Sequence, residues 1–177
     1  MRENLSRRAW FVVLKSLLAA RRQGHDSIEA NDLVTGIIVE DQDPHSLELN
    51  EQHPSVKRAR EMKPQPKGVL FPLECWIARE LFLPNEIAVS VLQGLKAELI
   101  GLDDAPGKNG LPPSIEVDRI LDTAEQLRNE FHHSKIEPLH ILAAALCEPC
   151  EASRILKEAG ITEDRVRGAL KRPGAAE

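Results

Sequence analysis

At 177 residues, 42% of them apolar and 29% charged, the chain is long enough for one globular domain with a buried core. Aromatic residues are only 3%, with no tyrosine, and a chain rich in Leu, Ala, Glu and Arg leans towards helix because these side chains lose little rotamer freedom there. The formal net charge of −5 argues against a nucleic-acid-binding or anionic-membrane-binding domain, the odd count of 3 cysteines does not suggest a disulfide framework, and no apolar run reaches the roughly 20 residues of a bilayer span.

The expected elements begin at Ser6, an N-cap candidate whose hydroxyl can accept from an orphan backbone N–H. A long helix follows, carrying Ala9, Val12 and Val13 on one side and Trp10, Leu14, Leu17 and Leu18 on another. Its amphipathic start has no separate apolar core or cleavage site of a signal peptide, so a cytoplasmic protein is expected. After a turn at Gly24-His25 comes a second helix, running from Ile28 past Ile38. Pro44, Pro54, Pro64, Pro66 and Pro72 mark an insertion at about 42–73, read as loop with at most a short helix near Ser55 to Met62. Cys75 to Leu99 matches the later Ile155 to Glu158 stretch only weakly, through Ile77 and Glu80 at an offset of 78, and a linker at 101–113 contains Pro106, Gly107, Gly110, Pro112 and Pro113. Ser114 then caps a helix with a buried stripe of Val117, Ile120, Leu121, Ala124, Leu127 and Phe131. A turn at His132-His133 leads to a helix through Leu146. Glu151 to Ala159 forms the next, Gly160 is a C-cap candidate, and Thr162 caps a last helix through about Leu170.

The chain repeats itself. Ile28 matches Ile136 at an offset of 108, and the same offset pairs Ser6 with Ser114, His25 with His133, Glu29 with Glu137 and Glu40 with Glu148. One domain, 1–177, is therefore expected: repeat one at 5–100, holding the insertion, the linker at 101–113, and repeat two at 114–172. The fold class is all-α, a pseudo-two-fold helical bundle of two four-helix repeats.

The recurring pattern of helix, turn ending in Gly-His or His-His, Ile, polar residues and a Leu/Ile-rich helix resembles the amino-terminal double-repeat domain of the Clp unfoldase ATPases. The best stretch runs from Ile136-Glu137-Pro138-Leu139-His140-Ile141-Leu142 through Ile155-Leu156-Lys157-Glu158-Ala159-Gly160-Ile161, and Leu5 to Glu40 also matches well. The resemblance implies a role in receiving substrates or adaptors for a protein-unfolding machine. No Gly-x-x-x-x-Gly-Lys-Ser/Thr phosphate loop occurs in the chain, so no ATPase activity is expected, and the likeness is to stand-alone regulators or accessory subunits. Some family members recognise phosphorylated arginine through a Glu-His pair at the start of the second helix of each repeat. The matching positions here hold Asn31-Asp32 and Leu139-His140, so that recognition is not carried over.

The expected partners are protein or peptide: a Clp ATPase, a Clp peptidase, an adaptor or unfolded clients, without nucleic acid or membrane. Neither a cofactor nor a metal is expected, nor an enzymatic activity. Two other readings compete. Paired short helices can imitate a helix-turn-helix transcriptional regulator. Cys147-Glu148-Pro149-Cys150 has the spacing of a redox or half-zinc motif, with Cys75 and His140 as further ligands; against it, both cysteines fall at the ends of core helices, where a thiol acts as a small hydrophobe. The run Lys57-Arg58-Ala59-Arg60-Glu61-Met62-Lys63 with Lys67 reads as a solvated loop face. On the first helix, Trp10, Leu14, Leu17 and Leu18 align with Asp118, Asp122, Glu125 and Gln126 of repeat two. That apolar face is either core, covered by another part of the chain, or a surface for a partner or homodimer.

Overall fold

The computed structural model describes residues 4–42, 85–95 and 110–171. These form helices α1 (Arg7–Gln23), α2 (Ala30–Gln42), α3 (Asn85–Gly94), α4 (Ile115–Glu130), α5 (Pro138–Cys147), α6 (Glu151–Glu158) and α7 (Glu163–Leu170). The fold is all-helical, as the composition suggests. The insertion expected at about 42–73, its basic run and the stretch near Ser55 to Met62 where at most a short helix is expected lie outside the described residues, as do Cys75 and most of the linker.

The repeat is visible bond by bond. Ser6 and Ser114 both stand in extended conformation and accept the amide three residues on, from Ala9 at 3.1 Å and Val117 at 3.3 Å. Each first helix ends in the same left-handed closure. Gly24 N–H donates to Arg21 O at 3.1 Å and His25 N–H to Ala20 O at 2.9 Å, while His132 N–H donates to Asn129 O at 3.1 Å and His133 N–H to Arg128 O at 2.9 Å. The left-handed residue is glycine in repeat one (φ 72°) and histidine in repeat two (φ 57°). Gly160 (φ 81°) ends α6 similarly. Thr162 occupies the N-cap of α7, but its side chain makes no cap hydrogen bond, so it starts that helix by backbone conformation alone.

The repeats exchange their leading segments. Leu5 pairs with Ile136 and Ile28 with Pro113, both as short parallel β-bridges. Ser6 N–H donates to Ile136 O at 3.0 Å and Ile136 N–H to Asn4 O at 2.8 Å. At the symmetric position Ser114 N–H donates to Ile28 O and Ile28 N–H to Pro112 O, both at 2.9 Å. The two sets superpose at the offset of 108 found in the sequence. A parallel bridge uses the groups flanking the paired residue, so Pro112 and Pro113 fit there with no ladder donor lost.

One continuous core joins the halves. Helix α5 is apolar all round and packs against α1, α2, α4, α6 and α7, which buries it from Pro138 to Leu146. In repeat one, α1 crosses α2 so closely that a Cβ on Gly36 would meet Ser16 Oγ at 2.3 Å and Val12 O at 2.5 Å. Ala144 and Ala124 hold the corresponding positions in repeat two.

Candidate functional site

The positions that the family resemblance marks, Asn31, Asp32, Leu139 and His140, sit in the first turns of α2 and α5. Their geometry is that of helix caps. Asp32, fully buried, accepts the Glu29 amide at 2.9 Å through Oδ2 and the Gln23 amide group at 3.2 Å through Oδ1. His25 Nδ1 lies 3.0 Å from Asp32 Oδ2, and this hydrogen bond raises the His25 pKa. In repeat two His140 takes the role of Asp32: its Nδ1 accepts the Glu137 amide at 2.9 Å. Since Nδ1 accepts, Nε2 carries the proton, and it faces His133 Nδ1 at 2.8 Å. Burial, reinforced by the neighbouring imidazole, pushes His140 down to about 3, and burial also lowers His133. Leu139 is buried and Asn31 half-buried. At these four positions no free carboxylate faces a guanidinium, because Asp32 is engaged through both oxygens and Asn31, Leu139 and His140 have none.

Trp10, Leu14, Leu17 and Leu18 lie in the core cluster, Trp10 and Leu14 at 2% exposure. Helix α1 is buried on every side from Arg8 to Leu18. Arg8, Lys15 and Glu40, which the sequence reading did not single out, are buried with them. Lys15 Nζ is 2.8 Å from Glu40 Oε2 and Arg8 Nε 3.6 Å from Glu40 Oε1. Their repeat-two counterparts are Glu116, Thr123 and Glu148, so the buried ion group belongs to repeat one alone. A Lys in the middle of an apolar helix was the available signal.

The cysteine pair differs from expectation in one respect: Cys147 is exposed at the end of α5, while Cys150, half-buried, is the N-cap of α6. Both thiols are free. Partial burial and a hydrogen bond with Glu163 push the Cys147 thiol up to about 11, and burial raises Cys150. High thiol pKa values disfavour the thiolate that redox exchange and zinc ligation need. His140, nominated as a further ligand, has both ring nitrogens engaged in the core, and no group of three metal-binding side chains occurs among the described residues.

Solvent reaches the opposite side of repeat two. Ile115, the first residue of α4, is 74% exposed, and Glu116, Asp118 and Asp122 follow along the same helix. Arg119 stands exposed among these carboxylates, but the face keeps a net negative charge that disfavours a phosphate backbone and so weakens the helix-turn-helix alternative. On α6 a shallow depression is lined by Pro149, Cys150, Ser153, Arg154 and Lys157, with Arg154 held between Glu151 at 3.5 Å and Glu158 at 2.6 Å. No described helix is long and apolar enough to cross a membrane.

Residues 112–174 match the profile of the Clp repeat (R) N-terminal domain. No curated protein matches the sequence. Among solved structures, the N-terminal domain of the caseinolytic protease-associated chaperone ClpD from Arabidopsis thaliana is similar at a TM-score of 0.57 and 18% identity, over 95% of this chain and 92% of that one. The Hsp104 N-terminal domain from Candida albicans gives 0.60 at 14% identity, over 98% and 97%. A chain from a malarial protein secretion system gives 0.61 at 15% identity, over 96% and 93%.

Proposed function

We propose, for a chain whose residues 112–174 match the Clp repeat and whose fold is similar to that of Clp N-terminal domains, a function in protein binding without catalysis: an adaptor, substrate receptor or regulatory accessory of a Clp unfoldase–protease system in the cytoplasm. The family match over the second repeat carries this reading. The buried cap residues add to it, since Asp32 and His140 are committed to holding helices and not to chemistry on a substrate.

Binding then falls on solvent-facing surface. On repeat two, the exposed Ile115 beside Glu116, Asp118 and Asp122 suits a partner segment that brings apolar and basic residues together. Trp10, Leu14, Leu17 and Leu18 contribute by keeping the bundle rigid.

The test is a pull-down with the tagged protein from lysate of its source cell, read by mass spectrometry, beside an Ile115→Asp/Asp118→Lys variant of unchanged helicity. Enrichment of Clp ATPase, peptidase or adaptor subunits supports the reading, and its loss in the variant places the surface on α4. Recovery of no Clp component would overturn the assignment to a Clp system.

A further inference from the structure

The two junctions that join first to second helix occupy equivalent places and hold their caps by opposite proton chemistry. In repeat one the buried acceptor is a carboxylate, Asp32, with an imidazole against it at 3.0 Å. In repeat two the acceptor is an imidazole, His140, with a second imidazole against it at 2.8 Å. We propose that the repeat-two junction is an acid-opened latch: a proton taken up by the His133–His140 pair releases the N-terminus of α5 and, through Ile136, the pairing that holds Asn4–Ser6, while the repeat-one junction stays closed.

The hydrogen bonds leave no room for that proton. Adding it to His140 Nδ1 sets two N–H groups against each other, the ring and the Glu137 amide, 2.9 Å apart. Adding it to His133 Nδ1 opposes it to His140 Nε2–H, and moving the His140 proton to the other nitrogen only transfers the conflict back to Glu137. Either site loses a hydrogen bond made by a buried imidazole. Ile136, one residue before that amide, makes both bonds of the bridge to Asn4 and Ser6.

The surroundings set the sign. From α4, Arg128 adds positive charge and further disfavours a proton on His140. The Glu137 carboxyl at the start of α5 is raised by burial and accepts from Ser6 Oγ at 2.8 Å, with Arg8 of α1 drawing it back. Its own protonation favours the closed form and opposes the latch in the carboxylate range. Both latch histidines are lowered from 6.5, so the opened form binds protons that the closed form refuses. Their contribution is complete above about pH 6.5 and is lost as the pH falls below it. His25 is raised by Asp32 and, more weakly, by Glu29, so its contribution is complete below the same point and is lost as the pH rises through its raised value.

Amide hydrogen exchange on the whole chain, corrected for intrinsic rates, tests this between pH 7.5 and 5.5. Protection of the Ser6, Ile136 and Glu137 amides is expected to fall by about tenfold per pH unit below 6.5 for one proton taken up, while the Ser114, Ile28 and Glu29 amides keep theirs. A His140→Asp variant, which rebuilds the repeat-one junction in repeat two, is expected to lose that slope. Equal pH response at both junctions, no response at either, or an unchanged slope in His140→Asp would overturn the latch. The comparison of the two junctions within the unsubstituted protein decides the matter even if the variant does not fold.

Discussion

At the scale of single residues, the two left-handed closures differ in one side chain. Gly24 (φ 72°) has open space where a Cβ would stand, so Gly24→Ala costs only backbone strain, about 1 kcal/mol. His132 already bears that strain at φ 57°, and His132→Gly is expected to stabilise by up to about 1 kcal/mol; urea unfolding midpoints check both. The Cys147 thiol, pushed up to about 11, is expected to alkylate at pH 7.5 well over tenfold more slowly than a free cysteine peptide, and Glu163→Gln to speed it. Much at this scale was legible, because a cap or a turn is a local bargain: Ser6, Ser114, Gly24 and Gly160 lie where their chemistry puts them. Thr162 shows the limit. Its residue type fits an N-cap, but whether the hydroxyl turns inward depends on neighbours that spacing does not name.

Among the elements, the crossing of α1 and α2 is the most constrained. A methyl on Gly36 meets backbone as well as side chain, at Val12 O and Ser16 N, so trimming Ser16 alone cannot make room. Gly36→Ala is therefore expected to cost about 1–3 kcal/mol, read from thermal unfolding, and a Ser16→Ala partner substitution to restore only part. Leu14, at 2% exposure, lies in the core cluster, and Leu14→Glu is expected to abolish cooperative unfolding by circular dichroism. The sequence showed α1 to be apolar nearly all round, and its burial follows from that. It did not show that Arg8 and Lys15 lie inside beside Glu40, 32 and 25 residues further along, because such an ion group forms only once two helices are packed. Likewise Asp32 and His140 differ as residue types, and only the folded junctions reveal that they accept equivalent amides, of Glu29 and Glu137.

For the whole molecule, the seam between repeats joins the shared core, the paired backbone segments and two side-chain hydrogen bonds among the described residues, Ser6 to Glu137 and Asn4 to Glu125. Ser6 serves twice, capping α1 and donating to Glu137 Oε2 across the seam at 2.8 Å, while Glu29, at the position corresponding to Glu137, is exposed. Ser6→Ala is thus expected to cost about 1–2 kcal/mol and Ser114→Ala about 1 kcal/mol, the difference measuring the cross-seam bond by chemical denaturation. The offset of 108 was readable in advance, yet the seam was not, since parallel bridges are made of peptide groups that every residue type carries.

The crossed bridges bear on how such a chain could arise. Each half gives its leading segment to the other half and takes the other's in return, which is the arrangement of two identical subunits related by a two-fold axis, with self-complementary contact surfaces. Residues 110–171 contain both the giving segment, 112–114, and the accepting one, around Ile136. Two copies of a single repeat could therefore close both bridges between them, and gene duplication with fusion would turn that dimer into one chain. In a fused chain each half can change alone, as the same joint shows: an imidazole pair in one half, an imidazole on a carboxylate in the other.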